Sequence, residues 1–194
     1  AGAGDRHVHR VGDLAGSGGY FVAMSADKIV AQPGTITGSI GVLAGKFITP
    51  EFWDKLGISW DEVHEGANAT MWTGTHDYSP AEWKRFEGFL DRVYEDFTSK
   101  VASGRKLSKE DVLKIAKGRI YTGEDAKAIG LVDELGGFDT ALRLAKQAAK
   151  IPESEEVKLR TYPRPKALAE TLLAFGKRDE DAVSTESAAT EAAL

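Results

Sequence analysis

The stretch Asp13-Leu-Ala-Gly-Ser17-Gly-Gly-Tyr20 sets a hydroxyl among glycines, and Ser17 is the residue in it whose type can do covalent chemistry. A serine hydroxyl becomes an effective nucleophile when a base takes its proton and hydrogen-bond donors stabilise the oxyanion that forms on the attacked carbonyl. Gly16 and Gly18 permit a sharp turn and close backbone approach. The run from Gly19 to Ala26 predicts a short helix, which puts Ser17 at a helix N-terminus. There the amide of Gly18 is free to donate, and the macrodipole favours negative charge. That is an oxyanion hole in outline. The same residues also suit an ordinary flexible turn, so the choice rests on what surrounds them.

Two segments after the helix are the first candidates for holding Ser17 in place. Lys28-Ile-Val-Ala-Gln32 reads as a buried strand bounded by Pro33-Gly34, and Thr35 to Val42 reads as a second. Glycines inside a strand pattern mark a close backbone approach. A substrate peptide pairing with an open edge is one occupant, which makes Gly38, Ile40 and Gly41 candidate substrate-binding positions. Ser39 lies among them, either satisfying a nearby backbone group or facing the reacting centre. Ahead of Ser17, residues 1–11 are glycine-rich and then polar, which predicts a poor strand or a disordered lead. His7 and His9 would need a third ligand to hold a metal, and none is in sight, so they read as surface residues.

The rest of the chain alternates helices and short strands. Pro50 to Leu56 reads as a helix stopped by Gly57, Ile58 to Val63 as a strand, and Gly66 to Gly74 as a loop. Ser79-Pro-Ala-Glu82 is a capping box with proline at the first helical position. The helix it starts carries one apolar stripe through Trp83, Phe86, Phe89, Leu90, Val93, Phe97 and Val101, with Gly104 as its stop. Ser108 with Asp111, and Thr122 with Asp125, begin two more capped helices. The acid pair Glu124 and Asp125 fits a helix first turn, and nothing places it or Asp133 and Glu134 near Ser17. Phe138 to Ile151 reads as an amphipathic helix before Pro152. Val157 to Tyr162 reads as a strand and Ala167 to Phe175 as a helix, and residues 177–194 lack apolar periodicity and read as a disordered tail. The expected organisation is a lead over 1–11, a domain over 12–176 and the tail.

Composition narrows the function. The 194 residues, 42% hydrophobic, suffice for one domain with a real core. A net charge of −5 without Lys/Arg runs argues against nucleic acid. The absence of cysteine excludes thiolate metal sites and cysteine nucleophiles. No apolar stretch is long enough to span a bilayer, and no signal peptide opens the chain, so by itself it reads as soluble.

From Ser17 the chain runs SGGYFVAMSADKIVAQPGTITGSIGV, which resembles the nucleophile segment of the signal peptide peptidase A (protease IV) family. Later pieces match in order, including KLGISWDEVHEGANATM and GRIYTGEDAKAIGLVDELGG. The resemblance implies an α/β, crotonase/Clp-protease-like ββα spiral, here incomplete at its N-terminus. It implies a Ser–Lys endopeptidase acting on signal peptides, with Ser17 as nucleophile, Gly18 as an oxyanion amide, and Ser39 orienting the lysine base. It implies no cofactor and no metal. In single-domain relatives the lysine stands at the position matching Ala69, whose methyl group takes no proton. Four explanations stand. The lysine comes from a preceding half, as in tandem members of the family; the chain is a dead scaffold or assembly half; the lysine was deliberately replaced; or His64 or His76 replaces it. The resemblance further implies a homo-oligomeric ring, tetramer or larger, a preceding domain as partner, and a membrane-associated parent whose catalytic part faces away from the cytosol.

Overall fold

A computed structural model describes residues 7–162, so the expected helix over 167–175 and tail over 177–194 lie outside the described residues. The elements run β1 (Val8–Arg10), β2 (Leu14–Gly16), α1 (Gly18–Ala23), β3 (Lys28–Ala31), β4 (Ile36–Gly38), α2 (Pro50–Lys55), α3 (Pro80–Arg105), α4 (Lys109–Ile115), β5 (Ile120–Thr122), α5 (Gly123–Ala128), β6 (Glu134–Leu135) and α6 (Phe138–Ala149). The chain divides into two units, Ala1–Glu153 and Ser154–Leu194. In the second, residues 156–160 carry no helix or strand, where sequence alternation predicts a strand from Val157.

Two three-stranded sheets organise the first unit. One has the order β1-β3-β6, all parallel; the other has the order β2-β4-β5, parallel and then antiparallel. Successive strands therefore leave one sheet and enter the other: β1 hands on to β2, and β3 to β4. The turn that carries Ser17 hangs on the second sheet. Buried threonines lock this crossing. The Thr35 hydroxyl donates to the Gly12 carbonyl at 2.7 Å and the Thr37 hydroxyl to the Ala15 carbonyl at 2.9 Å. Both threonines are buried, so these bonds satisfy groups that water cannot reach.

The main core gathers Ile29, Ile40, Val101, Val112 and Leu131 around the buried ring of Tyr20. Tyr20 donates its hydroxyl to the Leu131 carbonyl at 2.9 Å, and burial raises the phenol well above its usual range. That bond ties α1, and with it Ser17, to the opposite side of the core. A second cluster of Met71, Tyr78, Phe86 and Leu90 sits along the first half of α3.

The capping signals are realised in the structure. Ser79 and Glu82 make both bonds of the capping box, Ser108 accepts from the Asp111 amide, and Thr122 accepts from the Asp125 amide. Within the polar lead, Val8, His9 and Arg10 form a short strand, because they pair with Lys28, Ile29 and Val30 along one edge. Three expectations are corrected. Residues 58–63 form no strand: they have no ladder partner, and Ile58, Trp60 and Val63 are exposed. The strand expected to reach Val42 ends at Gly38, where positive φ at Gly38 (79°) and Ser39 (49°) turns the chain. Gly104 does not stop α3, which runs to Arg105 and is capped by left-handed Lys106. Gly104 faces the Met24 carbonyl with no room for a Cβ, so this glycine lets α3 approach the end of α1.

Candidate active site

Ser17 stands at the N-cap of α1 with φ 51° and ψ −116°, a conformation that L residues rarely adopt. Two backbone bonds enforce it: the Ser17 amide donates to the Gly38 carbonyl at 3.0 Å, and its carbonyl accepts from Phe21 at 2.8 Å. The hydroxyl makes no capping bond. A serine at an N-cap ordinarily spends its oxygen on the helix; here the backbone turns the oxygen out, and Ser17 is exposed. Gly18 follows at the first helical position, also exposed, where an amide has no intrahelical acceptor. A free hydroxyl and a free amide donor therefore sit side by side, an arrangement that acyl transfer could use.

Ser17 opens into a cavity of about 670 Å³ whose lining includes Ser39, Gly41, Val42, Leu43, Leu90 and Tyr94. Asp91, Lys117 and Gly118 complete it. Ser39 is half-buried, and a Cβ on Gly16 would lie 3.4 Å from the Ser39 Cβ, so the two serines flank one backbone crossing. The structure thus brings together Ser17, Gly18, Ser39 and Gly41. Gly38 and Ile40 it turns inward. Gly38 pairs with Gly16 on one side and Ile120 on the other, and the Ile40 side chain is in the core.

Ala69 is exposed in a turn closed by its amide and the Gly66 carbonyl, and it does not line the cavity. His64 and His76 do not line it either. They surround Glu62, with His76 Nε2 3.7 Å from its carboxylate, and the Thr75 hydroxyl above all holds that carboxyl below its usual range. His7 precedes β1, with its amide on Asp27, and His9 lies within β1. Among the described residues, no lysine hydrogen-bonds to Ser17 or Ser39.

Two lysines escaped the sequence reading. Lys46 has a buried Nζ without a hydrogen-bond partner, 4.2 Å from the centre of the Tyr78 ring and off the cavity lining. Lys117 lines the cavity itself. A lysine directly before Gly118 was its only sequence signal, and that reads as a helix end. Of the α3 residues on the lining, Leu90 was hidden inside the apolar stripe, and Asp91 and Tyr94 lie beside it.

Comparison with known proteins agrees with this geometry: residues 6–152 match the sequence profile of Peptidase family S49. The chain belongs to peptidase family S49. It is 36% identical over 160 residues to the chloroplastic serine protease SPPA of Arabidopsis thaliana, covering 81% of this chain and 24% of that protein. It is 38% identical over 151 residues to Protease 4 of Salmonella typhi, covering 78% of this chain and again 24% of the relative. The chain thus spans about a quarter of the length of both. A solved enoyl-CoA hydratase/isomerase family protein from Hyphomonas neptunium is similar at TM-score 0.32 and 23% identity, over 71% of this chain and 35% of that one, too slight a likeness to carry an argument. S49 membership and the mixed α/β architecture together make the fold crotonase/Clp-protease-like.

Proposed function

We propose that this chain supplies the nucleophile of a Ser–Lys endopeptidase that degrades signal peptides, with the lysine delivered by a preceding domain of the same parent protein. The observation that carries this reading is the Ser17 turn: a strained backbone that leaves the hydroxyl free beside the Gly18 amide, at the mouth of a cavity. Ser17 attacks the peptide carbonyl, Gly18 donates to the oxyanion, and Ser39 orients the incoming lysine. The lysine takes the Ser17 proton and returns it to the leaving amine. Such a base works as a neutral amine, a form that burial between two domains favours. Support for a lysine from another domain comes from Ala69, which offers no base, and from relatives about four times as long as the matched region.

The reading extends to assembly. Phe47 (90% exposed), Trp60 and Val63 are exposed apolar side chains of the kind that a homo-oligomeric ring would cover. No helix among the described residues is long and apolar enough to cross a membrane, so attachment of the parent to the cytoplasmic membrane, with this part on the non-cytosolic side, would come from elsewhere in it. Ala69 also favours a second reading, a catalytically inactive assembly half.

A serine-reactive fluorophosphonate separates the two. Labelling of Ser17 only after the preceding domain is added, located by mass spectrometry, is the expected result. Labelling of the chain alone points to a local base, and its absence in a complex shown to form leaves the assembly half.

A further inference from the structure

Among the described residues, five that are not glycine have positive φ: Ser17, Ser39, Lys106, Lys117 and Lys150. Lys106 and Lys150 are C-caps of α3 and α6, where the left-handed conformation is ordinary. The other three all line the one cavity. Lys117 follows the C-cap of α4, Ala116, whose own backbone (φ −78°, ψ −137°) has already left the helix. A glycine or asparagine would take its left-handed position, φ 61°, with less strain.

The turn at Lys117 is clamped to the segment that follows β4. The Gly118 amide donates to the Ile40 carbonyl at 2.9 Å, and the Ser39 amide donates to the Arg119 carbonyl at 2.7 Å. Contact is so close that a Cβ on Gly41 would meet the Gly118 nitrogen at 2.7 Å. The backbone of Lys117 is therefore held beside Ser39 by bonds from distant sequence. Its side chain is exposed and has no ion-pair partner among the described residues. Asp91, from α3, is likewise unpaired and lines the same cavity, and Val42, Leu43 and Leu90 supply apolar walls. A peptide lying in this cavity meets a cation at the Lys117 turn and an anion on α3.

We infer that Lys117 is a specificity-determining residue that selects peptides carrying an acidic side chain close to the bond presented to Ser17. Asp91 repels that carboxylate at its own end and so fixes the direction in which the peptide lies. The inference rests on the peptidase reading for the occupant of the cavity, but on the Lys117 and Asp91 charges for its selectivity.

Binding isolates the selectivity from the chemistry. The intact chain carrying Ser17→Ala is titrated with labelled peptides of one apolar sequence in which a single position is Glu, Gln or Lys, read by fluorescence anisotropy. The expected result is a Glu-over-Gln preference of about two- to five-fold at one position, the range for an exposed pair. It weakens in about 0.5 M salt. Lys117→Gly, which suits the left-handed backbone, abolishes it; Lys117→Glu reverses it in favour of the Lys peptide. Equal binding of Glu and Gln peptides at every position, or a preference that survives in Lys117→Glu, overturns the inference. Fluorophosphonate labelling of Ser17 with the preceding domain present is run beside it. Labelling without charge preference removes the role of Lys117 and leaves the peptidase; charge preference without labelling does the reverse.

Discussion

Replacing Ser17 by glycine should make the protein more stable while removing the exposed hydroxyl. The backbone at Ser17, φ 51° and ψ −116°, is a region that glycine enters freely and other residues enter at a cost of about 1–3 kcal/mol. The serine side chain offsets none of this in the folded state: it makes no cap bond and is exposed. Against the relief stands the greater freedom of glycine in the unfolded chain, about 0.4–1 kcal/mol. The net gain is roughly 0.5–2 kcal/mol, a rise in Tm of about 1–8 °C for a unit of this size. Ser17→Ala is the control, because alanine keeps the Cβ and the strain and should stay within about 0.5 kcal/mol of the parent. Thermal unfolding by circular dichroism, confirmed by urea titration, measures both. If the glycine variant is no more stable than the alanine variant, the turn is not strained and the argument that it was selected to expose the hydroxyl fails.

Two further substitutions test how the site is held. Thr37→Val removes the hydroxyl that donates to the Ala15 carbonyl, so one buried side-chain hydrogen bond between β4 and β2 is lost. It should cost about 0.5–1.5 kcal/mol in urea unfolding and slow fluorophosphonate labelling of Ser17 in the parent protein. Asp133→Asn strips the partner from Arg105, whose side chain is 6% exposed and donates to Asp133 at 2.7 Å. A loss of about 2–3 kcal/mol is expected, at the low end for a buried pair because Asp133 keeps some contact with water. Burial pushes the Asp133 carboxyl up, but the Ile29 amide, Arg105 and Lys28 outweigh it and hold the group below its usual range. Its folded pKa is thus depressed, so its stabilisation is fully present above the unfolded value near ~3.9 and is lost as pH falls through the folded value. Urea midpoints measured from pH 6 to 2 should fall less steeply in Asp133→Asn than in the parent.

Much of the site was legible in the order of residues because its signals are local. A serine between glycines before a helical run needs no knowledge of the fold to be read as a turn at a helix N-terminus. The caps at Ser79, Ser108 and Thr122 were equally plain, since each bond closes within three residues. Tertiary structure decided what depends on partners from distant sequence. His9 joins a strand only because Ile29 stands beside it, and Ile58 to Val63 forms none because nothing does. Gly104, a stop by local rules, is a contact point for Met24, and Gly38 spends its backbone on Gly16 and Ile120. Lys117 is the clearest case. Its chemistry depends on a turn held by bonds to Ile40 and Ser39, and only folding brings Lys117 to the same cavity as Ser39 and Ser17.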